Sequence, residues 1–323
     1  MSKPKVLLTR KWPASVEAAA SRLFDVTVNP DDRPLSRADI REALENYDAV
    51  MATVTDDVKS GTFTNLKPKA KILANYGVGY SHIDLEGATA AGITVTNTPD
   101  VLNDCTADLA MTLLMMAARR AGEGEREVRA GKWTGWRPTH LIGTSVTGKT
   151  LGIIGFGRIG QAMARRAHFG FGMKILVQSR SPVAADILAE TGAVQVDTVE
   201  NLLPECDFVS LHCPGGDVNR HLINAERLGL MRSTAILVNT ARGEVVDEAA
   251  LAEALKSGEI AGAGLDVFEE EPKVHPGILE CENAVLLPHM GSSTSETRVG
   301  MGMRALRNIE QFFNGEVPGD KVN

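Results

Sequence analysis

Three short segments bring an arginine, a cluster of acids and a histidine to the ends of apolar runs that read as β-strands. Arg242 stands in Asn239-Thr240-Ala241-Arg242-Gly243, directly after AILV. Glu269, Glu270 and Glu271 precede Pro272 and follow the run IAGAG and the segment Leu265–Phe268. His289 stands in Leu287-Pro288-His289-Met290-Gly291, after AVLL. In open parallel sheets ligands bind beyond the carboxyl ends of the strands, so the three segments share one edge. Hydride transfer to a 2-keto acid needs this set of residue types. A guanidinium holds the carboxylate and polarises the ketone with its fork of donors. An imidazole protonates the developing alkoxide near neutral pH. A carboxylate orients that imidazole and stabilises its protonated form. Taken singly, each has an ordinary structural alternative: Arg242 in a helix-terminus or inter-domain ion pair, His289 as a turn residue, the acids as a solvated loop. It is their joint placement beside a nucleotide motif that favours the chemistry.

That motif is Gly155-Phe156-Gly157-Arg158-Ile159-Gly160, a GxGxxG between the apolar run TLGIIG and the helical pattern IGQAMARRAHFG. A glycine triplet alone is weak; between a strand and a helix it reads as a dinucleotide turn. Gly155 permits the tight turn, Gly157 lets the backbone approach a pyrophosphate, and Gly160 lets helix and strand pack closely. The N–H groups of Arg158 and Ile159 then point at the phosphates from the helix N-terminus. At the end of the next strand an NAD site would carry a carboxylate for the ribose hydroxyls. Here Ser179, Arg180 and Ser181 follow Gln178 instead. Arg180 can pair with a 2′-phosphate that a carboxylate would repel. The expected cofactor is NADPH, with NADH possible; the alternative is a solvent-facing Arg180 beside a permissive pocket.

A second pair of glycines, in Asn75-Tyr76-Gly77-Val78-Gly79-Tyr80, follows the run KILA. It reads either as backbone N–H groups cradling an anion or as a plain strand-to-helix turn. The histidines other than His289 are His82, His140, His168, His212, His221 and His275, without HxH or HxxxH spacing. They read as structural, although His140 lies in a Trp-rich loop that can line a pocket. Cys105, Cys206, Cys213 and Cys281 form no CxxC pair, so no zinc or thioredoxin-like site is expected, and no metal. Reduced, buried thiols in a cytoplasmic protein are the simple reading. A formal net charge of −7 argues against nucleic acid and anionic membrane surfaces as partners. It also means that an anionic substrate needs local positive charge at its site.

The elements that must carry these residues are strands alternating with helices. KVLLT, DVTVN, DAVMATV, KILANYG and ITVTN form a first set. A long helical pattern, about Thr106 to Ala130, follows, with Asn103-Asp104 able to cap it. The stretch Gly131–Thr150 then reads as loop, and TLGIIG, MKILVQS, AVQV, FVSLH, AILVNT, GAGLDV and AVLLP form a second set. A last helix, Ser292 to Phe313, is expected to pack back on the first set. At 323 residues the chain suffices for two compact domains. The expected architecture is α/β: two doubly wound, Rossmann-like parallel-sheet domains with a cleft between them. The first is discontinuous, residues 1–101 with 291–323, and the second spans 102–290. No apolar run is long enough to cross a membrane, and the N-terminus reads as a first strand rather than a secretion signal.

Over essentially its full length the chain resembles the D-isomer-specific 2-hydroxyacid dehydrogenases. The resemblance is carried, in order, by GFGRIGQAMARRA, LHCPGG…RHLIN, LVNTARGEVVDEAAL, AGLDVFEEEP and LLPHMGSSTSETR. Within the family, the SRS segment and WTGWRP are similar to the glyoxylate and hydroxypyruvate reductases. The resemblance implies reduction of a small 2-keto acid to a 2-hydroxy acid, with Arg242, Glu271 and His289 catalytic and Glu269 and Glu270 bystanders. Arg242 and His289 would also bind substrate. The backbone of Val78 and Gly79 would grip its carboxylate, and Val54 would bound its side chain. Asp266 would accept from the nicotinamide carboxamide, Cys213 and Pro214 would flank the cofactor, and Thr240 and Gly291 are grouped with these contacts. The family also implies a homodimer through the second domain, with the Trp133–His140 loop reaching the neighbour. Gly215, Gly216 and Asn219 stand where relatives more often carry larger residues and Thr. A dehydrogenase for a bulkier, phenylpyruvate-type keto acid and a non-catalytic dinucleotide-binding partner protein are the alternative functions.

Overall fold

The computed structural model describes residues 3–323. They divide into two compact units: the chain up to Leu102 together with Ser293–Asn323, and Asn103–Ser292. The first unit holds five strands: β1 (Lys5–Leu8), β2 (Asp25–Val28), β3 (Ala49–Thr53), β4 (Ile72–Tyr76) and β5 (Thr94–Thr96). All pair in parallel, in the order β2-β1-β3-β4-β5. This is the flavodoxin-like doubly wound order. The interior strand β4 is buried along its whole length, whereas the edge strand β2 is exposed at alternate residues. That contrast is expected of a sheet covered on both faces. The last helix, Ser295–Phe313, lies in this unit, where the Tyr76 hydroxyl donates to the Arg298 carbonyl at 2.6 Å.

The second unit holds β6 (Thr150–Ile154), β7 (Lys174–Gln178), β8 (Ala193–Gln195), β9 (Phe208–Leu211), β10 (Ile236–Asn239), β11 (Gly262–Leu265) and β12 (Ala284–Leu286). Their order is β12-β11-β10-β9-β6-β7-β8, again all parallel. Read from β8, the chain winds outward from β6 in one direction and then, from β9, in the other. The order reverses between β6 and β9, the switch point at which doubly wound sheets bind ligands. Strands β9, β10 and β11 are buried throughout, which places their carboxyl-end turns on a rigid base.

One expected element differs. The pattern from Thr106 to Ala130 forms two helices, Asn103–Ala118 and Ala121–Arg129, and Asn103-Asp104 lie within the first turn rather than ahead of it. Between them Arg120 adopts a left-handed backbone (φ 53°). The cause is tertiary: Thr144 N–H donates to the Ala118 carbonyl at 2.7 Å, and Gly143 packs against the same carbonyl where no Cβ would fit. The chain segment at Gly143 and Thr144 thus occupies the space and the acceptor at the point where the first helix ends. Among the described residues no helix is long and apolar enough to cross a membrane.

Candidate active site

The turn after β10 carries Arg242. The buried Asn239 side chain shapes it, accepting from Ala241 N–H (3.0 Å) and donating to the Arg242 carbonyl (2.9 Å). The Arg242 guanidinium reaches only the Ala241 carbonyl, at 2.6 Å, and no carboxylate lies within salt-bridge distance of it among the described residues. Burial pushes its pKa down, while the charges of Glu244 and Glu271 act to hold the proton. A desolvated cation without a contacting anion is costly and is suited to an anionic ligand.

Gly243 explains how this turn meets the next. A Cβ there would overlap the backbone of Phe268 and Glu269. The Arg242 turn is therefore pressed against the loop that carries Glu271. Gly243→Ala should destabilise the protein by about 2 kcal/mol through overpacking. It should also lower kcat/KM by roughly tenfold or more, since a 1 Å displacement of positioned groups is enough. Thermal melting with steady-state kinetics checks both.

Glu271 accepts the Phe268 N–H at 3.1 Å through one oxygen, and the other lies 2.8 Å from His289 Nδ1. Burial raises the Glu271 carboxyl, but the hydrogen bond and charge of His289, the Phe268 N–H and the Arg242 charge together hold it below the usual range. An ionised carboxylate only accepts, so Nδ1 is the donor and Nε2 is left to face a ligand. His289 and Glu271 are each about one-third exposed, at 35% and 33% of their side chains. His289 has a left-handed backbone (φ 53°), which a non-glycine residue keeps only when its surroundings impose it. The restraint is Asp266: its carbonyl accepts His289 N–H at 2.8 Å, and its two carboxylate oxygens accept Met290 N–H (2.6 Å) and Gly291 N–H (2.8 Å).

The nucleotide turn fits a dinucleotide on its own geometry. Gly155 has φ 89°, and a Cβ there would lie 2.5 Å from Cys213 N. Around Gly157 the space is open, and at Gly160 a Cβ would strike the Gly155 carbonyl. The helix Arg158–Phe171 starts at Gly157, which has no side chain to cap it. Thr240 Oγ1 is buried without a partner, as expected of a group awaiting a ligand. Gln195 binds the Ser181 carbonyl (3.1 Å), and Arg180 and Ser181 are exposed. Arg180 is near enough to Cys213 to act on its thiol. Even so, burial pushes that thiol up to about 11, so it is neither thiolate nor nucleophile at neutral pH. His212 is driven down to about 4 by burial and bonds Ser210 Oγ at 2.8 Å, a neutral structural residue.

Gly215 and Gly216 have a local reason. A Cβ at Gly215 would meet the Glu244 carboxylate and the Arg242 stem, and Gly216 N–H donates to Glu244 at 3.1 Å with φ 96°. Glu269 is not a freely solvated acid: it binds Arg220 and, at 2.9 Å, His221 Nε2. His140 is held between Arg137 (2.7 Å) and Glu127 (3.0 Å). In the first unit Asn75 donates to the carbonyls of Gly77 (3.1 Å) and Gly79 (3.0 Å), and Asn97 donates to that of Val78 (2.9 Å). The N–H groups of Val78 and Gly79 donate none of the hydrogen bonds found among the described residues. Val54 packs against Gly77. Asn239, Asn75 and Asn97 were not singled out in the sequence. An asparagine closing an apolar strand run just before a turn is the signal that marks the first two.

A family model for the NAD-binding domain of D-isomer specific 2-hydroxyacid dehydrogenases matches residues 111–291. The chain belongs to this family. It is an oxidoreductase that binds a nicotinamide dinucleotide. A glyoxylate reductase of Thermococcus onnurineus is 47% identical, over 99% of this chain and 96% of its own. Among solved structures, the NADPH-dependent glyoxylate/hydroxypyruvate reductase of Sinorhizobium meliloti, in complex with NADP and malonate, is 33% identical with TM-score 0.88, over 99% of this chain and 97% of its own. A glyoxylate reductase from Paecilomyes thermophila is 34% identical with TM-score 0.87, over 100% and 99%.

Proposed function

We propose that this chain reduces glyoxylate or hydroxypyruvate with NADPH, giving glycolate or D-glycerate. The carrying observation is the mostly buried Arg242 guanidinium, without a contacting anion, beside the hydrogen-bonded Glu271–His289 pair. The bound dinucleotide supplies the hydride to the carbonyl carbon. Arg242 holds the substrate carboxylate and draws electron density onto the ketone oxygen. His289 Nε2 gives its proton to that oxygen as the alkoxide forms, and Glu271 stabilises the ring while it is charged. In the first unit, read as the substrate-binding domain, Val78 and Gly79 are assigned to the carboxylate and Val54 to the small side chain.

In the second unit, read as the dinucleotide-binding domain, Gly155, Gly157, Arg158, Ile159 and Gly160 are assigned to the pyrophosphate. Cys213, Pro214, Thr240, Asp266 and Gly291 are assigned along the rest of the cofactor. The oxygens of Asp266 keep a second lone pair each for the carboxamide. Ser179, Arg180 and Ser181 are assigned to the 2′-phosphate. Arg180→Ala should raise KM for NADPH at least about tenfold, one charge-assisted contact, with KM for NADH nearly unchanged. Equal effects on both cofactors would remove Arg180 from the 2′-phosphate. A cytoplasmic homodimer is part of the same reading, supported by exposed Trp133, Trp136 and Ile142 on one arm of the second unit.

The deciding experiment is steady-state reduction of glyoxylate, hydroxypyruvate, pyruvate and phenylpyruvate, each with NADPH and NADH. A preference for the first two with NADPH above about tenfold, or 1.4 kcal/mol in the transition state, is the expected result. Preference for phenylpyruvate would assign a bulkier substrate. Absence of turnover with every pair would point to a dinucleotide-binding partner protein.

A further inference from the structure

Outside the proposed reacting groups, Glu248 is a buried carboxylate, only 6% exposed. It is the first residue of the helix Glu248–Ser257, whose Leu251, Ala252 and Leu255 are buried in the core and whose start is capped by Asp247. The helix therefore presents the carboxylate from a rigid base. Its two oxygens do not serve the helix. One accepts Glu269 N–H at 2.8 Å and the other His275 N–H at 3.2 Å. These two residues bracket Glu271.

Between the two anchor points little holds the backbone to the rest of the fold, and the Glu271 side chain is held by the Phe268 N–H and His289 Nδ1. Glu270, Glu271, Pro272 and Lys273 are exposed, and only Val274 packs against the core. Lys273 N–H closes a turn on the Glu270 carbonyl at 2.9 Å, a bond within the loop that ties it to nothing. The Glu269 side chain holds Arg220 and His221. A short exposed loop with a single apolar anchor, here Val274, samples many conformations unless its ends are fixed. Two backbone N–H bonds to one ionised, desolvated carboxylate are strong restraints. Burial pushes the Glu248 carboxyl up, the two N–H groups oppose this, and the Glu269 charge adds to it.

We propose that Glu248 is a positioning residue for the reaction, which sets Glu271 at hydrogen-bonding distance from His289 by clamping both ends of the Glu269–His275 loop. The inference rests on the reading of Glu271 and His289 as the acid–base pair. With the clamp opened, Glu271 would spend less time on Nδ1, and the protonated ring would lose part of its partner. Glu248 would then govern how far into the alkaline range the enzyme stays active, without touching substrate or cofactor.

The test compares Glu248→Gln, Glu271→Gln and the double variant, with kcat/KM for glyoxylate measured from pH 5 to 10. Glutamine keeps the size of Glu248 but turns an amide donor toward one of the two N–H groups, and unchanged circular dichroism verifies the fold. Glu248→Gln should lower kcat by about three- to tenfold and move the high-pH limb down by about half a unit, with dinucleotide affinity within about twofold, because a positioning defect weakens the acid without removing it. The double variant should be no more than about twofold slower than Glu271→Gln alone, since residues acting through one another are not additive. If Glu271→Gln moves the limb and Glu248→Gln does not, or if the two losses multiply, the clamp is overturned and the acid–base pair stands. If Glu271→Gln itself leaves the limb in place, the pair falls and the clamp falls with it.

Discussion

Replacing Arg242 with alanine should lower kcat/KM for the keto acid by about 10³-fold or more, equivalent to roughly 4 kcal/mol of transition-state stabilisation. Two losses combine. The substrate carboxylate loses a charge-assisted pair in a desolvated place, which raises KM. The ketone loses the donor that meets its developing negative charge, which lowers kcat. The guanidinium suits this role because it is partly desolvated and no carboxylate among the described residues contacts it, although the Glu244 and Glu271 charges act on it. Dinucleotide affinity should change by less than about twofold, since Arg242 is assigned to substrate, and added guanidinium ion should restore part of the rate. Arg242→Lys should fall between the two, because an ammonium restores the charge but not the planar fork. A variant that lost dinucleotide binding and kept its KM for keto acid would assign Arg242 to the cofactor instead.

Glu271→Gln should have the second-largest effect, a fall of about 10²-fold in kcat/KM at pH 7, together with a displaced pH profile. The direction follows from the pair itself. With His289 as the proposed acid, reduction needs the ring protonated, so activity should be present at lower pH and fall as pH rises. Glu271 is held below the usual carboxylate range by the His289 hydrogen bond and charge, against the upward push of burial. The 2.8 Å contact sets the ionised carboxylate directly against the ring. Glutamine removes that charge, so the high-pH limb must move to lower pH. An unmoved limb would separate the two residues functionally despite their 2.8 Å contact.

Much of this architecture is legible in the residues. Each strand run that was read, from KVLLT to AVLLP, lies on one of the twelve strands, because parallel sheets covered on both faces demand short continuous apolar runs. The break at Arg120 was not legible, because the groups that cause it, Gly143 and Thr144, arrive from elsewhere in the chain. Arg242, the run Glu269–Glu271 and His289 are legible because they fall together after successive strand runs beside a nucleotide motif, whereas the choice of Glu271 among the three acids came from the family resemblance. Glu248 is not legible, because an acid in the first turn of a helix is ordinary, and its two N–H partners lie far along the chain. Asp266 was read only toward the cofactor. Its oxygens also hold the backbone that forces His289 into a left-handed conformation, a duty visible only once the turn is folded.

The thiol of Cys213 beside the nucleotide turn has a consequence for survival under oxidants. Peroxides and alkylating agents attack the thiolate. With the thiol held at about 11, only about one molecule in 10⁴ carries a thiolate at pH 7. Cys206, pushed up to about 12, is more inert still. Burial thereby slows sulfenic acid formation and glutathione capture at both thiols.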